Sequence, residues 1–467
     1  MKNRLAFLLA AGAIALPAAA GDLDYNIYGT VMVFADSVKA TDATPLADAP
    51  TNALVASSAA KYTGVDVPTR TRITSGTSNL GFKGSYKFTD DLSVTWQYES
   101  AIDLDSKDTS STNVLGGRNK GIGIASKTFG QVLVGSWDTP YKMGILMTGA
   151  LRGLDPFDDS ISGNPGFGTM ATITDSGPST SVATVPVTVT TPTGTAVVNN
   201  AVTINSKNNA CFNRRQGNSI QYWSPEIAGF SARVMYSVNE QKAPLSSLAS
   251  QISPTVLSAS LTYKIGTLTL FGAFDQHKDY FGLAAIAGYT SPLGQGAPAG
   301  PAATDTTTIT SSTDTAVELG AYYVIPSTGT RLVLLCEQLK YHDDDASRSA
   351  TRVNEYKRSA FFASVQQTFG PHKVFVNFGQ AAKGDATYVG GATASTDGLG
   401  AKQYSLNYAY ALGKKADLFA SYYVVKNDKA ASYTCFPPVM NPTTGGPSAV
   451  QTGAQTQGLG IGVLYTF

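Results

Sequence analysis

Cysteine, charge and long apolar runs are all scarce in this chain of 467 residues. Its cysteines are Cys211, Cys336 and Cys435, too few for a disulfide scaffold and too scattered for a metal-ligand spacing, so neither a metal nor another cofactor is expected. Charged residues make up 14% of the chain, and the formal charge of +1 gives no general attraction to nucleic acid. Past residue 16, no stretch approaches the ~20 consecutive apolar residues of a transmembrane helix. Any crossing of a membrane therefore has to be made by strands. Catalytic sets are missing too. His277, His342 and His372 fall at the ends or turns of predicted strands, and no phosphate-binding loop or nucleophile elbow accompanies them, so no enzyme is expected.

What the chain has instead is alternation. In residues 458–467, Leu459, Ile461, Val463, Tyr465 and Phe467 share one strand face, and Gly458, Gly460, Gly462, Leu464 and Thr466 share the other. A continuous apolar face that ends in two aromatics suits a strand closing a barrel in lipid, with rings at the membrane interface. At the amino end, Lys2 and Arg4 precede an apolar run over residues 5–16, followed by Pro17 and three alanines. This pattern predicts a secretory signal peptide over residues 1–20 and one mature domain over 21–467. Loss of Lys2 and Arg4 would take the formal charge from +1 to −1.

Between the ends, period-two hairpins recur. Leu80, Phe82, Gly84, Tyr86 and Phe88 oppose Asn79, Gly81, Lys83, Ser85 and Lys87. After the turn at Asp90-Asp91, Leu92, Val94, Trp96 and Tyr98 alternate with Ser93, Thr95, Gln97 and Glu99. Short turns are predicted near residues 90, 130, 227, 266, 327, 371 and 414, and long polar connections, including residues 39–75, lie between them. The fold class is all-β, a transmembrane antiparallel barrel of about sixteen strands with short periplasmic turns and long extracellular loops. Two segments break the pattern. Arg118 and Lys120 share parity with Ile122 and Ile124, which a bulge would resolve, and residues 332–335 show no alternation.

The hairpin Ser78-Asn79-Leu80-Gly81-Phe82-Lys83-Gly84 with Val94-Thr95-Trp96-Gln97-Tyr98-Glu99 resembles the signature hairpin of Gram-negative porins of the neisserial and betaproteobacterial type. Asn119-Lys120-Gly121-Ile122-Gly123, Asp138-Thr139-Pro140-Tyr141 and Leu154-Asp155-Pro156-Phe157 are similar to later motifs of that family. The terminal Phe467, with Tyr465 and Val463, resembles the signal by which outer-membrane barrels engage their insertion machinery. The resemblance implies an outer-membrane homotrimer in contact with lipid, and a third loop folded into the lumen. Here that loop is residues 140–216, and it carries Asp155, Asp158 and Asp159 as the acidic side of a constriction. Strand parity offers Lys83, Arg233 and Lys264 as the basic wall, with Arg118 added if the bulge exists; Arg70, Arg72, Arg214 and Arg215 could join them from loop ends. Residues 171–204 depart from a compact loop, as an extra hairpin or a passive insertion. Cys211 and Cys435 are candidates for a disulfide.

The expected function is passive diffusion of ions and small hydrophilic solutes, with low-dielectric walls focusing the field at the constriction. The alternatives are a channel specific for an oxyanion or carboxylate, and a surface adhesion barrel that conducts little.

Overall fold

In a β-strand, side chains alternate between faces, so a sheet of such strands that closes on itself can turn its oily face outward to lipid and its polar face to the interior. The computed structural model describes residues 23–467 except 56, 58–60, 77, 103, 105–115, 149–160, 168–179, 192–193, 206–209, 239–253, 288, 290–310, 345–349, 351 and 435–451, and the backbone alone of residues 180–205. Its strands are β1 (Leu23–Thr41), β2 (Val67–Ser75), β3 (Asn79–Lys87), β4 (Leu92–Ala101), β5 (Lys120–Ser126), β6 (Gly130–Asp138), β7 (Thr180–Thr191), β8 (Gly194–Asn205), β9 (Arg215–Trp223), β10 (Phe230–Val238) and β11 (Thr255–Ile265). They continue with β12 (Leu268–Lys278), β13 (Thr313–Val324), β14 (Arg331–His342), β15 (Val353–Phe369), β16 (His372–Ala381), β17 (Asp385–Tyr388), β18 (Thr393–Ala394), β19 (Ala401–Ala411), β20 (Ala416–Asn427) and β21 (Gln455–Thr466). Two helices, α1 (Pro140–Thr148) and α2 (Gly282–Ala287), lie in the connections.

Among the described residues, nineteen strands join in one antiparallel sheet. β2 and β3 are two halves of one stave, since both pair with β1, and β17 and β18 extend the β15 side beyond β16. Sixteen staves remain. The barrel closes where β21 pairs with β1, from Thr30 opposite Thr466 to Thr41 opposite Gln455. Phe467 donates its N–H to the Gly29 carbonyl at 3.1 Å and accepts from the Gly29 N–H at 3.3 Å, and its ring stacks on Tyr465 with centroids 5.9 Å apart. A closed wall leaves no unpaired edge, which lipid would not tolerate.

The outward face is apolar and exposed, with Ile461 at 61% and Leu406 at 52%. The inward face of β16, β19 and β20 is a polar ladder instead. Asn377 donates to Ser405 at 2.9 Å, Ser421 donates to Asn407, and all four are buried. All seven predicted turns connect neighbouring staves at one end, and the long loops rise from the other.

The structure departs from the sequence reading in one connection. β2 occupies the end of the segment read as a loop over residues 39–75, because the break at Gly76 to Ser78 hides its continuity with β3. Of the two readings of the insertion, the extra hairpin is the one the backbone adopts, as β7 paired with β8. Residues 332–335 do alternate in space: Leu332 and Leu334 face out, while Val333 and Leu335 face in and are buried. Their inward apolarity has a reason in what fills the lumen there.

Candidate functional site

The lumen is narrowed by the connection after β6. Thr139 starts α1 as its N-cap, its hydroxyl accepting the Lys142 N–H at 3.1 Å, and Pro140 follows at the first helical position, where its missing N–H costs nothing. Tyr141 and Ile145, one turn apart, are both fully buried against the inward face of β11 to β14, while Leu146 on the other side is 42% exposed. The Tyr141 N–H donates to the Ser258 hydroxyl at 3.1 Å. Gly144 lies so close to the wall that a Cβ there would collide with the Glu318 carboxylate and the Phe271 ring. At the end of the helix, Arg331 donates to the Met147 carbonyl at 2.7 Å, a cation on a helix C-terminus.

The returning limb of the loop is held by one buried ion pair. Arg358 on β15 meets Glu337 on β14 at 2.9 Å, with both side chains essentially inaccessible. Arg358 also donates to the carbonyls of Ile161, at 2.9 Å, and Asn164. Glu337 accepts from the Gly163 N–H at 2.8 Å and from the Tyr141 hydroxyl at 2.9 Å. Burial pushes the Tyr141 phenol well above its ordinary range, so it stays a donor. One pair on the wall thus grips both limbs of the loop. Phe212 stacks on His277, centroids 4.4 Å apart, and the Tyr433 hydroxyl donates to the Pro165 carbonyl at 3.1 Å. The base of the loop is tied by Asp138, which pairs with Arg215 at 3.1 Å and Lys142 at 3.2 Å.

The wall of β1 to β5 presents different chemistry to the lumen. Arg72 forms a fork on Asp36 at 2.6 Å, and Arg118 pairs with Glu99, which also accepts from the Tyr28 hydroxyl at 2.8 Å. Arg118 reaches Glu99 because the ladder bulges there: the Arg118 N–H donates to the Glu99 carbonyl, while the Glu99 N–H donates to the Asn119 carbonyl, so two residues face one. Lys83 lies over the Tyr28 ring at 5.0 Å, and Arg233, nearer the short-turn end on β10, lies over Trp223 at 4.4 Å. Lys264 is at the short-turn rim, paired with Glu226 at 2.7 Å and half exposed. Arg70 shares the inward face of β2 with Arg72, whereas Arg214 and Arg215 are buried.

Asp155, Asp158, Asp159 and Cys435 lie outside the described residues. Sequence reasoning missed the anchors of the loop, Asp138, Glu337 and Arg358, and the buried acids Asp275 and Glu318 behind α1. Inward parity was the signal available for them, since each sits on a strand at a position whose neighbours two residues away also face the lumen. Parity alone does not tell a side chain in water from one under a loop.

The family model for Gram-negative porins matches residues 6–430. An anion-selective porin from Comamonas acidovorans superposes with a TM-score of 0.57 at 16% identity, covering 96% of this chain and 100% of that one. The trimer form of OmpT, an outer-membrane protein of Vibrio cholerae, gives 0.53 at 13% identity, with 96% and 100% covered. At such identities the two structures speak for the fold alone. No curated protein sequence matches the chain.

Proposed function

The chain belongs to the Gram-negative porin family, and we propose on that footing that it works as an anion-preferring channel for passive diffusion of ions and small hydrophilic solutes across the outer membrane. One observation carries the sign of the preference. Among the described residues, Lys83 and Arg233 reach the lumen against aromatic rings without a carboxylate in ion-pair contact, whereas Asp36, Glu99, Asp138 and Glu337 are each paired with a cation. On the lining away from the seated loop this leaves unpaired positive charge at Lys83 and Arg233, which raises the local anion concentration. The Comamonas protein, called anion-selective, has the same fold, which agrees with this reading.

In this mechanism α1 and the limb at 161–167 set the size limit, Lys83 and Arg233 bias the ions, Arg118 neutralises Glu99 on the same lining, and Lys264 acts at the exit rim. Asp155, Asp158 and Asp159 form the acidic face of the narrowing and hold the preference to a modest level. The mature chain begins after residue 20 and assembles as a homotrimer, as the trimer form of OmpT does. The strand ending in Val463, Tyr465 and Phe467 is read by the insertion machinery. Cys211 and Cys435 bridge two loops in the oxidising periplasm before insertion.

The test is the reversal potential of the purified protein in a planar bilayer under a salt gradient. Anion preference that weakens or inverts in Lys83→Glu/Arg233→Glu supports the proposal. Cation preference in the wild type refutes it, and absence of conductance favours the adhesion barrel.

A further inference from the structure

Two pairs of lysines stand directly opposite each other across neighbouring strands on the outward face of the barrel. Lys340 on β14 faces Lys357 on β15, and Lys402 on β19 faces Lys426 on β20. Opposed like charges in register repel, because their Cβ atoms are only ~5 Å apart. The first pair is relieved within the protein: Lys340 bonds Glu355 at 2.9 Å, and Asp385 on β17 stands in register with Lys357. The second pair is not. Both its lysines are exposed, and among the described residues no carboxylate makes an ion pair with either, including Asp428 at the next outward position.

The height of the second pair in the membrane follows from the strand below it. The outward stripe of β19 descends from Lys402 through Tyr404, Leu406, Tyr408 and Tyr410 to Leu412 at the short turn, with each of the five below Lys402 at least 39% exposed. Ten residues of strand tilted by ~40° rise about 25 Å, the height of the apolar band of such barrels. The short turns are periplasmic, so Lys402 and Lys426 emerge where the outer leaflet ends and its headgroups begin. Tyr404 and Tyr422, exposed at 44% and 45%, flank them from below as interface anchors.

We propose that Lys402 and Lys426 form a binding site for the phosphorylated glycolipid headgroup of the outer leaflet, a phosphate bridging the two ammonium groups and supplying the anion that Glu355 supplies to the other pair. The inference rests on the outward face and on the orientation of the barrel, not on what passes through the lumen. Its failure would leave the channel reading standing.

The test uses the full-length protein in neutral detergent, with thermal unfolding followed while diphosphorylated lipid A, dephosphorylated lipid A or inorganic phosphate is added. Lys402→Gln and Lys426→Gln are compared with Lys357→Gln, from the internally relieved pair. Without lipid, removing one lysine of the unrelieved pair is expected to leave the melting temperature unchanged or raise it. With diphosphorylated lipid A, each of these variants should bind about fivefold more weakly than the wild type, and Lys357→Gln should not. Equal binding by wild type and variants overturns the proposal, as does stabilisation by inorganic phosphate to the same extent, which would make this a free-anion site. Loss of the oligomer in either variant without lipid also overturns it, by making the face a contact between copies of the chain.

Discussion

The two sides of the lumen are built on the same lattice and do opposite things. On β12 to β15 the inward positions carry Phe271, Ala273, Leu335, Leu339, Tyr341 and Phe362, with Asp275, Glu318, Glu337 and Arg358 set among them, all buried, under the third loop and the connection that carries α2. On β2 to β5 they carry Arg70, Arg72, Lys83, Gln97 and Glu99, charged or polar and in part exposed. The first wall is a protein interior turned inside out, where the charges of Glu337 and Arg358 persist because they are paired with each other and hydrogen-bonded to the loop. The second is a channel lining. In a barrel of this width a constriction therefore depends on an adhesive wall as much as on the loop that adheres to it.

That contrast is most severely tested at the adhesive wall. Arg358→Ala leaves Glu337 buried without its cation and frees the carbonyls of Ile161 and Asn164, and should cost the seated loop about 3–5 kcal/mol. The expected readout is a larger, noisier single-channel conductance together with faster amide exchange over residues 161–167. Next comes Gly144→Leu, which forces a side chain into Glu318 and Phe271, for about 1–3 kcal/mol lost from docking of α1. It should raise conductance with no change in ion preference. On the lining, Lys83→Glu should do the reverse, shifting the reversal potential toward cations while the barrel's stability stays within ~0.5 kcal/mol. A change in selectivity with Gly144→Leu, or in loop exchange with Lys83→Glu, would dissolve the distinction between the walls.

The smallest effect is expected far from both, at a periplasmic turn. The Asp91 carboxylate is held below its ordinary value of 3.8, chiefly by the Ser126 hydroxyl and then by the Thr128 N–H and hydroxyl. A depressed carboxylate adds stability that is present above its unfolded value and lost as pH falls through its folded value. The wild type should therefore be slightly more stable than Asp91→Asn at neutral pH, and the gap should close below 3.8, which acid unfolding curves of the two proteins would show.

Legibility differed between the walls for a physical reason. Lys83 and Arg233 could be assigned to the lumen from parity, because on an unpacked lining the strand period is the whole determinant of where a side chain points. Arg118 needed a bulge, which parity demanded but could not locate; the pairing of Arg118 and Asn119 against Glu99 places it. Glu337 and Arg358 were unreadable as anchors, since their partners are the backbone of Ile161, Gly163 and Asn164, almost two hundred residues away. Backbone groups leave no trace in a sequence.

The alternation of apolar and polar residues, ending in Tyr465 and Phe467, determined by itself that this chain is a closed barrel, because period and length suffice when lipid admits no open edge. The seating of α1 on β11 to β14, the buried grip of Arg358 and Glu337 on the loop, and the meeting of Lys402 with Lys426 on the outer rim were decided only by the tertiary structure. Each depends on which strands become neighbours and at what register, and that is a property of the closed sheet rather than of any one strand.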